Sequence, residues 1–210
     1  LGAVSPAEFI PVAEGCGLIH DITRLVIDKA CAHIRETIDR GVNCPPIALN
    51  LSALDIVRHD LLDHIDESTG RHAIPPHLLE FEITETGLIG NEALAIRHLQ
   101  ELDKRGNSIS IDDFGTGYSS LSKLSSFPFR GIKIDRSFVA KIGSCAKSEL
   151  IIKAIVSMAD MMSCLTIAEG VESENQETFL KSVGCDLFQG YYYFPPLEAT
   201  QLDAILVPRG

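Results

Sequence analysis

The sequence predicts an incomplete parallel (β/α)8 barrel of the α/β class, TIM-like in architecture, and three observations predict it. Short apolar stretches alternate with helical ones along all 210 residues, without a linker or low-complexity tract, as in chains of right-handed βαβ units. Polar residues recur where the short stretches end: Asn50, Glu82, Asp112, Asp113, Lys133, Glu169 and Gln189. Six strand ends supply that set. A doubly wound sheet gathers functional residues at one switch point, whereas a barrel brings every C-terminal strand end to one rim. The count stops at six visible parallel strands where a barrel takes eight. A single domain over 1–210 is therefore expected to lack its first two strands and to leave two open edges.

The elements follow in order. "SPAEF" opens a helix, with Ser5 as cap, Pro6 at the first helical position and Glu8 completing a capping box. The helical pattern runs on through "ACAHIRETID", broken near Gly15 and Gly17. "CPPIALNLS" is a strand after a proline stop, "ALDIVRHDLLDHIDES" one helix, and "LLEFEITET" a strand. "NEALAIRHLQELDKRG" is an amphipathic helix closed by Gly106. "SISIDDF" is a strand, "SSLSKLSSF" a short helical segment and "GIKID" a strand. A long helix lies within "KSELIIKAIVSMADMMS", followed by the strand "LTIAEGV". "SENQETFLKSVG" is a helix with a Ser173/Gln176 capping box, and "DLFQG" is the last strand.

The totals exclude several classes. With 45% hydrophobic and 22% charged residues, the chain has the composition of a globular domain and not of a disordered one. No apolar run approaches the ~18 residues of a membrane span, and "LGAVSPAEFIPVAEGCG" has no signal-peptide pattern. A cytoplasmic location, free or as the cytoplasmic domain of a membrane protein, is expected. A net charge of −11 argues against polymeric nucleic acid, while leaving room for a small phosphate ligand held through metal ions. The six cysteines show no CxxC spacing, so they read as reduced, space-filling residues and not as zinc ligands.

The acids carry the chemistry. "EFEITET" sets Glu80, Glu82 and Thr84 on one strand face with Glu85 just past its end; "IDDFG" adds Asp112 and Asp113, and "IAEGVE" adds Glu169 and Glu172. Hard oxygen donors from several strands, with Asn50, describe a site for Mg2+ or Mn2+. Adjacent aspartates should point to opposite faces of a strand. At the rim the alternation is expected to relax, letting Asp112 point inward and Asp113 reach an outer cation. Two such ions would suit an in-line phosphoryl displacement. Lys133, between Ile132 and Ile134, faces inward to orient or deprotonate water or to balance phosphate charge. Each residue also has a plain alternative. Asn50 or Ser52 can cap a helix, Lys133 can pair with Asp135, the aspartates can make an Asx-turn before Gly115, and Gln189 can end a strand.

"SPAEFIPVAEGCGLI", "ALNLS", "LEFEITET", "IDDFGTGYSSLSKL", "IKIDRSF", "IAEGVES" and "QETFLKSVGCDLFQGYYY" occur here in one order. That set resembles the EAL domain family over about residues 1 to 200. The resemblance implies a TIM-like barrel with one antiparallel strand, two divalent metals, and hydrolysis of cyclic di-GMP to linear pGpG in bacterial second-messenger signalling. It implies Asn50, Glu82, Asp112, Asp113 and Glu169 as metal ligands, Lys133 as the catalytic lysine, and Gln189 as a hydrogen-bonding site residue. Glu85 would hold the loop at 114–120, which in this family joins metal binding to dimerisation. Phe194 and Pro195 would lie near the guanine end of the ligand, with Glu172 beside the site. A homodimer and upstream GGDEF or sensor domains are the implied partners. The resemblance places the family's Glu-Ala-Leu motif, with a following Arg and a metal-binding glutamate, just upstream of "LGAVSPAEF", and that stretch is absent from the sequence. Weak metal binding and little activity are therefore expected of these 210 residues alone. A non-catalytic receptor for cyclic di-GMP and an enolase-like barrel are the competing readings.

Overall fold

The computed structural model describes residues 4–85, 92–116 and 126–206. The chain begins with two helices, α1 (Pro6–Cys16) and α2 (Ile19–Asp39), separated by Gly17 in the left-handed region at φ +78. Ser5 precedes α1 as its N-cap, but its side chain makes no capping bond. The Glu8 amide already donates to the Ser5 carbonyl at 2.9 Å, so the hydroxyl of the expected box has no N3 donor left.

Six strands and their helices follow: β1 (Ile47–Asn50), α3 (Ala53–Ile56), α4 (Leu61–His72), β2 (Leu79–Thr84), α5 (Glu92–Arg105), β3 (Ser108–Phe114) and β4 (Gly131–Ile134). Then come α6 (Arg136–Val139), α7 (Ala146–Met162), β5 (Leu165–Glu169), α8 (Glu174–Ser182), β6 (Leu187–Gln189) and α9 (Ala199–Leu206). The helix expected over "ALDIVRHDLLDHIDES" is two helices. Val57 leaves helical geometry, and Arg58 grips Asp60 through two hydrogen bonds of 2.7 and 2.6 Å that close the intervening turn. The segment "SSLSKLSSF" falls mostly outside the described residues. The Ser173/Gln176 capping box forms as expected.

The strands pair in the order β1-β2-β3-β4-β5-β6, every pairing parallel. The antiparallel strand implied by the resemblance is not among these six. A strand order that simply counts upward, with a helical crossover at each described step, has no switch point and curves into a half-barrel. Its convex face carries Leu79, Phe81, Ile83, Ile109, Ile111, Ile132 and Ile134, all within 1% of complete burial against Ile27, Ile34, Ile65, Leu99 and Ile152 of the helices. The lumen face carries Glu80, Glu82 and Thr84 of β2, Ser110 and Asp112 of β3, and Lys133 of β4. Parallel strands put all six C-terminal ends on one rim, so the sheet itself delivers the polar residues to a common place. All six cysteines are free thiols; Cys31, Cys44, Cys164 and Cys185 are buried, while Cys16 is exposed.

One glycine is fixed by contact. A Cβ on Gly190, just past β6, would lie 2.1 Å from the Val171 carbonyl oxygen and 2.3 Å from its nitrogen. This close approach lets the Val171 amide reach the Gln189 carbonyl and the Tyr192 amide reach the Val171 carbonyl, each at 3.0 Å. Gly190→Ala is expected to cost roughly 3 kcal/mol by thermal or urea unfolding. Gly15→Ala, in the body of α1 with no atom within 4 Å of an added Cβ, should instead be neutral or stabilising by up to about 1 kcal/mol.

Candidate metal and active site

Lys133 sits at the centre of the rim. Its side chain rises from β4 into the lumen, where the residue is 4% exposed. The Nζ lies 2.7 Å from Glu82 Oε2, 2.7 Å from Glu169 Oε1 and 3.1 Å from Asp112 Oδ1. One ammonium thus ties together acids from β2, β3 and β5. Burial by itself lowers the lysine's pKa, but hydrogen bonds to Glu169 and Glu82 and their charges outweigh it, and the pKa stands above the ordinary value. Glu82 is raised, first by burial and then by the charges of Asp112 and Glu169, against the downward pull of Lys133. The ion pair with Asp135 is not formed; Asp135 instead caps α6 by accepting from the Ser137 amide at 3.0 Å.

The two aspartates share the rim because the strand breaks its alternation between them. Ile111 pairs with Ile132 and Phe114 with Ile134, so three steps along β3 match two along β4. That extra residue is a bulge. Asp113 takes it up with φ +53, in the left-handed region where aspartate is tolerated better than most side chains. The Asp113 amide donates to Asp112 Oδ1 at 2.9 Å, an adjacent-residue bond and not the two-residue closure of an Asx-turn. Carboxylate oxygens of Asp112, Asp113 and Glu169 come within 4.8 Å of one another. The Asp113 carboxyl is pushed up to about 6, by burial first and then by the charges of Asp112, Asp135 and Glu169.

This donor set fits a divalent cation. Glu82, Asp112, Asp113 and Glu169 set four carboxylates against the single ammonium of Lys133. The excess negative charge is partly buried, and every donor is a hard oxygen, as Mg2+ and Mn2+ prefer. Glu82 joins the set through Lys133 and stands outside the close trio.

The remaining residues surround this centre. Asn50 ends β1 in register with Glu82, and Gln189 ends β6 in register with Glu169; both are exposed. The cap of α3 is Ser52, not Asn50. Glu85 is 4% exposed and accepts from the Gly115 amide at 3.2 Å, holding the start of the 114–120 loop; residues 117–120 lie outside the described set. Phe194 and Pro195 are exposed beyond the turn at Gly190. Tyr193 anchors that aromatic run, donating to Glu177 at 2.7 Å and stacking on Phe188. Glu172 does not join the acids: it is exposed, and its amide donates to Gln176 at the start of α8. Sequence reasoning missed Asp135 as a neighbour of Asp113. Its place after "IKI", one step beyond the end of β4 at the same rim, was the available signal.

A sequence model of the EAL domain matches residues 1–196. The chain belongs to the EAL domain family. Among its relatives, the signaling protein YkoW of Bacillus subtilis is 41% identical over 97% of this chain. The bifunctional diguanylate cyclase/cyclic di-GMP phosphodiesterase MucR of Pseudomonas aeruginosa is 38% identical over 96% of this chain. The chain spans only 25% and 29% of the lengths of these two relatives. Among solved structures, the MucR phosphodiesterase in complex with cyclic di-GMP superposes with a TM-score of 0.91 at 38% identity, over 96% of this chain and 81% of that one. The EAL enzyme Bd1971, with cAMP and cyclic di-GMP bound, gives 0.92 at 30% identity, over 98% of this chain and 57% of that one.

Three outcomes follow for the metal-free EAL domain. Lys133→Met leaves buried carboxylates without their counter-charge and should cost about 3 kcal/mol by chemical denaturation, part of it regained in millimolar Mg2+. Asp113 holds its proton up to about 6 in the folded chain against an ordinary value of 3.8. The folded state therefore binds more protons between those limits, and metal-free stability falls as pH rises from about 4 to about 6. Asp113→Asn, which keeps the left-handed backbone but cannot ionise, should raise the metal-free stability at pH 7 by about 1 kcal/mol after solvent screening. Thermal melts across pH check it.

Proposed function

We propose that this EAL domain is a metal-dependent phosphodiesterase that hydrolyses cyclic di-GMP to linear pGpG. The observation that carries the reading is the convergence of Asp112, Asp113 and Glu169 beside Lys133 at the rim, in a family whose named relatives include cyclic di-GMP phosphodiesterases. In this reading Asn50, Glu82, Asp112, Asp113 and Glu169 hold two Mg2+ or Mn2+ ions. Bound divalent ions supply charge neutralisation for a phosphate and a water acidic enough to attack at neutral pH.

The chain's own residues do the rest. Lys133 stays charged, because three carboxylates contact it. It therefore holds the acids in place and balances phosphate charge; it does not take a proton from water. Asp113, on the bulge, offers its carboxylate at the outer side of the cluster. Gln189 and the aromatic run through Phe194 and Pro195 flank the opening, as side chains that bind a dinucleotide's polar edge and base face would. Glu85 fixes the first residues of the 114–120 loop, through which we propose a homodimer. A cytoplasmic setting beside GGDEF or sensor domains completes the reading; MucR and the oxygen sensor protein DosP of Escherichia coli, which is 35% identical, are both much longer than this chain.

Incubation with cyclic di-GMP and Mg2+ or Mn2+, followed by chromatography for pGpG, tests the activity. Metal-dependent product supports it; binding without product would place the domain among cyclic di-GMP receptors instead. Asp113→Asn should remove at least nine-tenths of the rate while the circular dichroism spectrum is unchanged. Ca2+ should inhibit, since its longer and looser coordination misplaces oxygen ligands.

A further inference from the structure

Asn50 stands three residues before a helix too short to hold itself in place. Four residues make barely one turn, and a turn alone is unstable in water, so α3 depends on what grips it. Three elements do. From α1, Glu14 Oε1 accepts from the Ser52 hydroxyl at 2.7 Å. From α2, Thr23 Oγ1 donates to Asp55 Oδ2 at 2.6 Å, and His20 Nδ1 donates to Asp55 Oδ1 at 2.5 Å. From α5, His98 Nδ1 donates to the Ile56 carbonyl at 2.7 Å.

Asp55 is the centre of this grip. It is 2% exposed, so both of its oxygens must be satisfied inside the protein. A small pocket bounded by His20, Thr23, Asp55, Arg58, Asp60 and His64 opens beside it. On that side of the junction these polar contacts join α2 to α3, while Ile56 of α3 is buried in the core with Ile27 of α2.

We infer that Asp55, with Thr23 and His20, is a positioning clamp that sets where Asn50 stands at the rim, and so couples α1 and α2 to the cation site. The inference rests on the proposed role of Asn50 as a metal ligand. Its path is short and continuous. Thr23 and His20 fix Asp55, Asp55 fixes α3, and the Leu51 amide, one residue past Asn50, donates to the Glu82 carbonyl at 2.8 Å. A displacement of α2 therefore reaches the Asn50–Glu82 pair without crossing the lumen. Groups that bond a ligating side chain directly tune metal affinity; here the grip acts further out, through the backbone that carries Asn50.

The test uses near-isosteric variants at Thr23 and reads Mn2+ binding without substrate, by electron paramagnetic resonance. Thr23→Val removes the hydroxyl and should weaken Mn2+ binding about tenfold; Thr23→Ser keeps the hydroxyl and should bind as the wild type does. Ser68→Ala is the control. Ser68 is fully buried and donates to Asp28 at 2.6 Å, joining α2 to α4 away from the rim. It should lower Tm while leaving Mn2+ affinity unchanged. If Thr23→Val binds Mn2+ like the wild type, or loses no more affinity than Ser68→Ala at a matched loss of Tm, the clamp is overturned while the cation site stands. A wild-type chain that binds no Mn2+ overturns the cation-site reading and the clamp with it.

Discussion

The ammonium of Lys133 is the constraint on which the rest of the rim depends. It reaches acids from three other strands at 2.7 to 3.1 Å, and no ladder of backbone bonds could substitute for it. Ladders hold neighbouring strands together, but they leave the lumen side chains free to repel. One charge shared by Glu82, Asp112 and Glu169 turns that repulsion into a cross-link between β2, β3, β4 and β5. It does so incompletely, since Asp113 and the partly buried excess of acid remain. An enzyme-like site is often built this way, with local electrostatic stability sacrificed so that a ligand can supply it. The same side chains that cross-link the strands are the ones proposed to hold cations, so a change at any of them bears on both.

The bulge in β3 is the second device, and it is steric in origin. Two consecutive carboxylates on a regular strand would face opposite sides, one toward the lumen and one into the Ile-rich layer under the helices. Inserting one residue turns Asp113 outward over the rim and returns Phe114 to the buried face, in register with Ile134. Aspartate can occupy the left-handed region at modest cost. The one register shift among the described strand pairings sits beside the acid cluster.

Much of this was legible in the residues, for identifiable reasons. The strands read correctly because their buried faces, such as Leu79, Phe81 and Ile83, alternate with the polar lumen at a strict period of two. The Ser173/Gln176 box read correctly because both partners lie in one short segment, and the Gln176 side-chain oxygen accepts from both the Ser173 and the Glu172 amides. The Ser5 box failed because the backbone carbonyl of the same residue captured the amide first, a competition that composition does not display. The break between α3 and α4 was hidden because Val57 to Asp60 carry no glycine or proline; the stop is made by an arginine folding onto an aspartate two residues on. Relaxed alternation at "DDF" could be argued from the sequence, but the side of the bulge and the approach of Asp135 depend on strand pairing, which is a long-range property. Glu172 shows the converse. Its spacing from Glu169 suggested a site acid, yet the chain turns at Gly170, with φ +67, and carries it out to the start of α8.

The rim is thus held from two sides by forces of different kinds. From within, charge fixes Glu82, Asp112 and Glu169 around Lys133. From without, hydrogen bonds of α1, α2 and α5 hold the short helix that follows Asn50. The two meet along the β1–β2 ladder, which the bond from the Leu51 amide to the Glu82 carbonyl extends past Asn50, so β1 is positioned by β2 and by the helices above it at once. Charge compensation is strong but tolerant of small shifts, because an ammonium can follow its partners. The hydrogen bonds of Asp55 are individually modest but directional, and they vanish over a fraction of an ångström. Small movements of the outer helices should therefore be felt first at Asn50, the rim residue farthest from Lys133 along the strand order, while the Lys133 cluster keeps its shape.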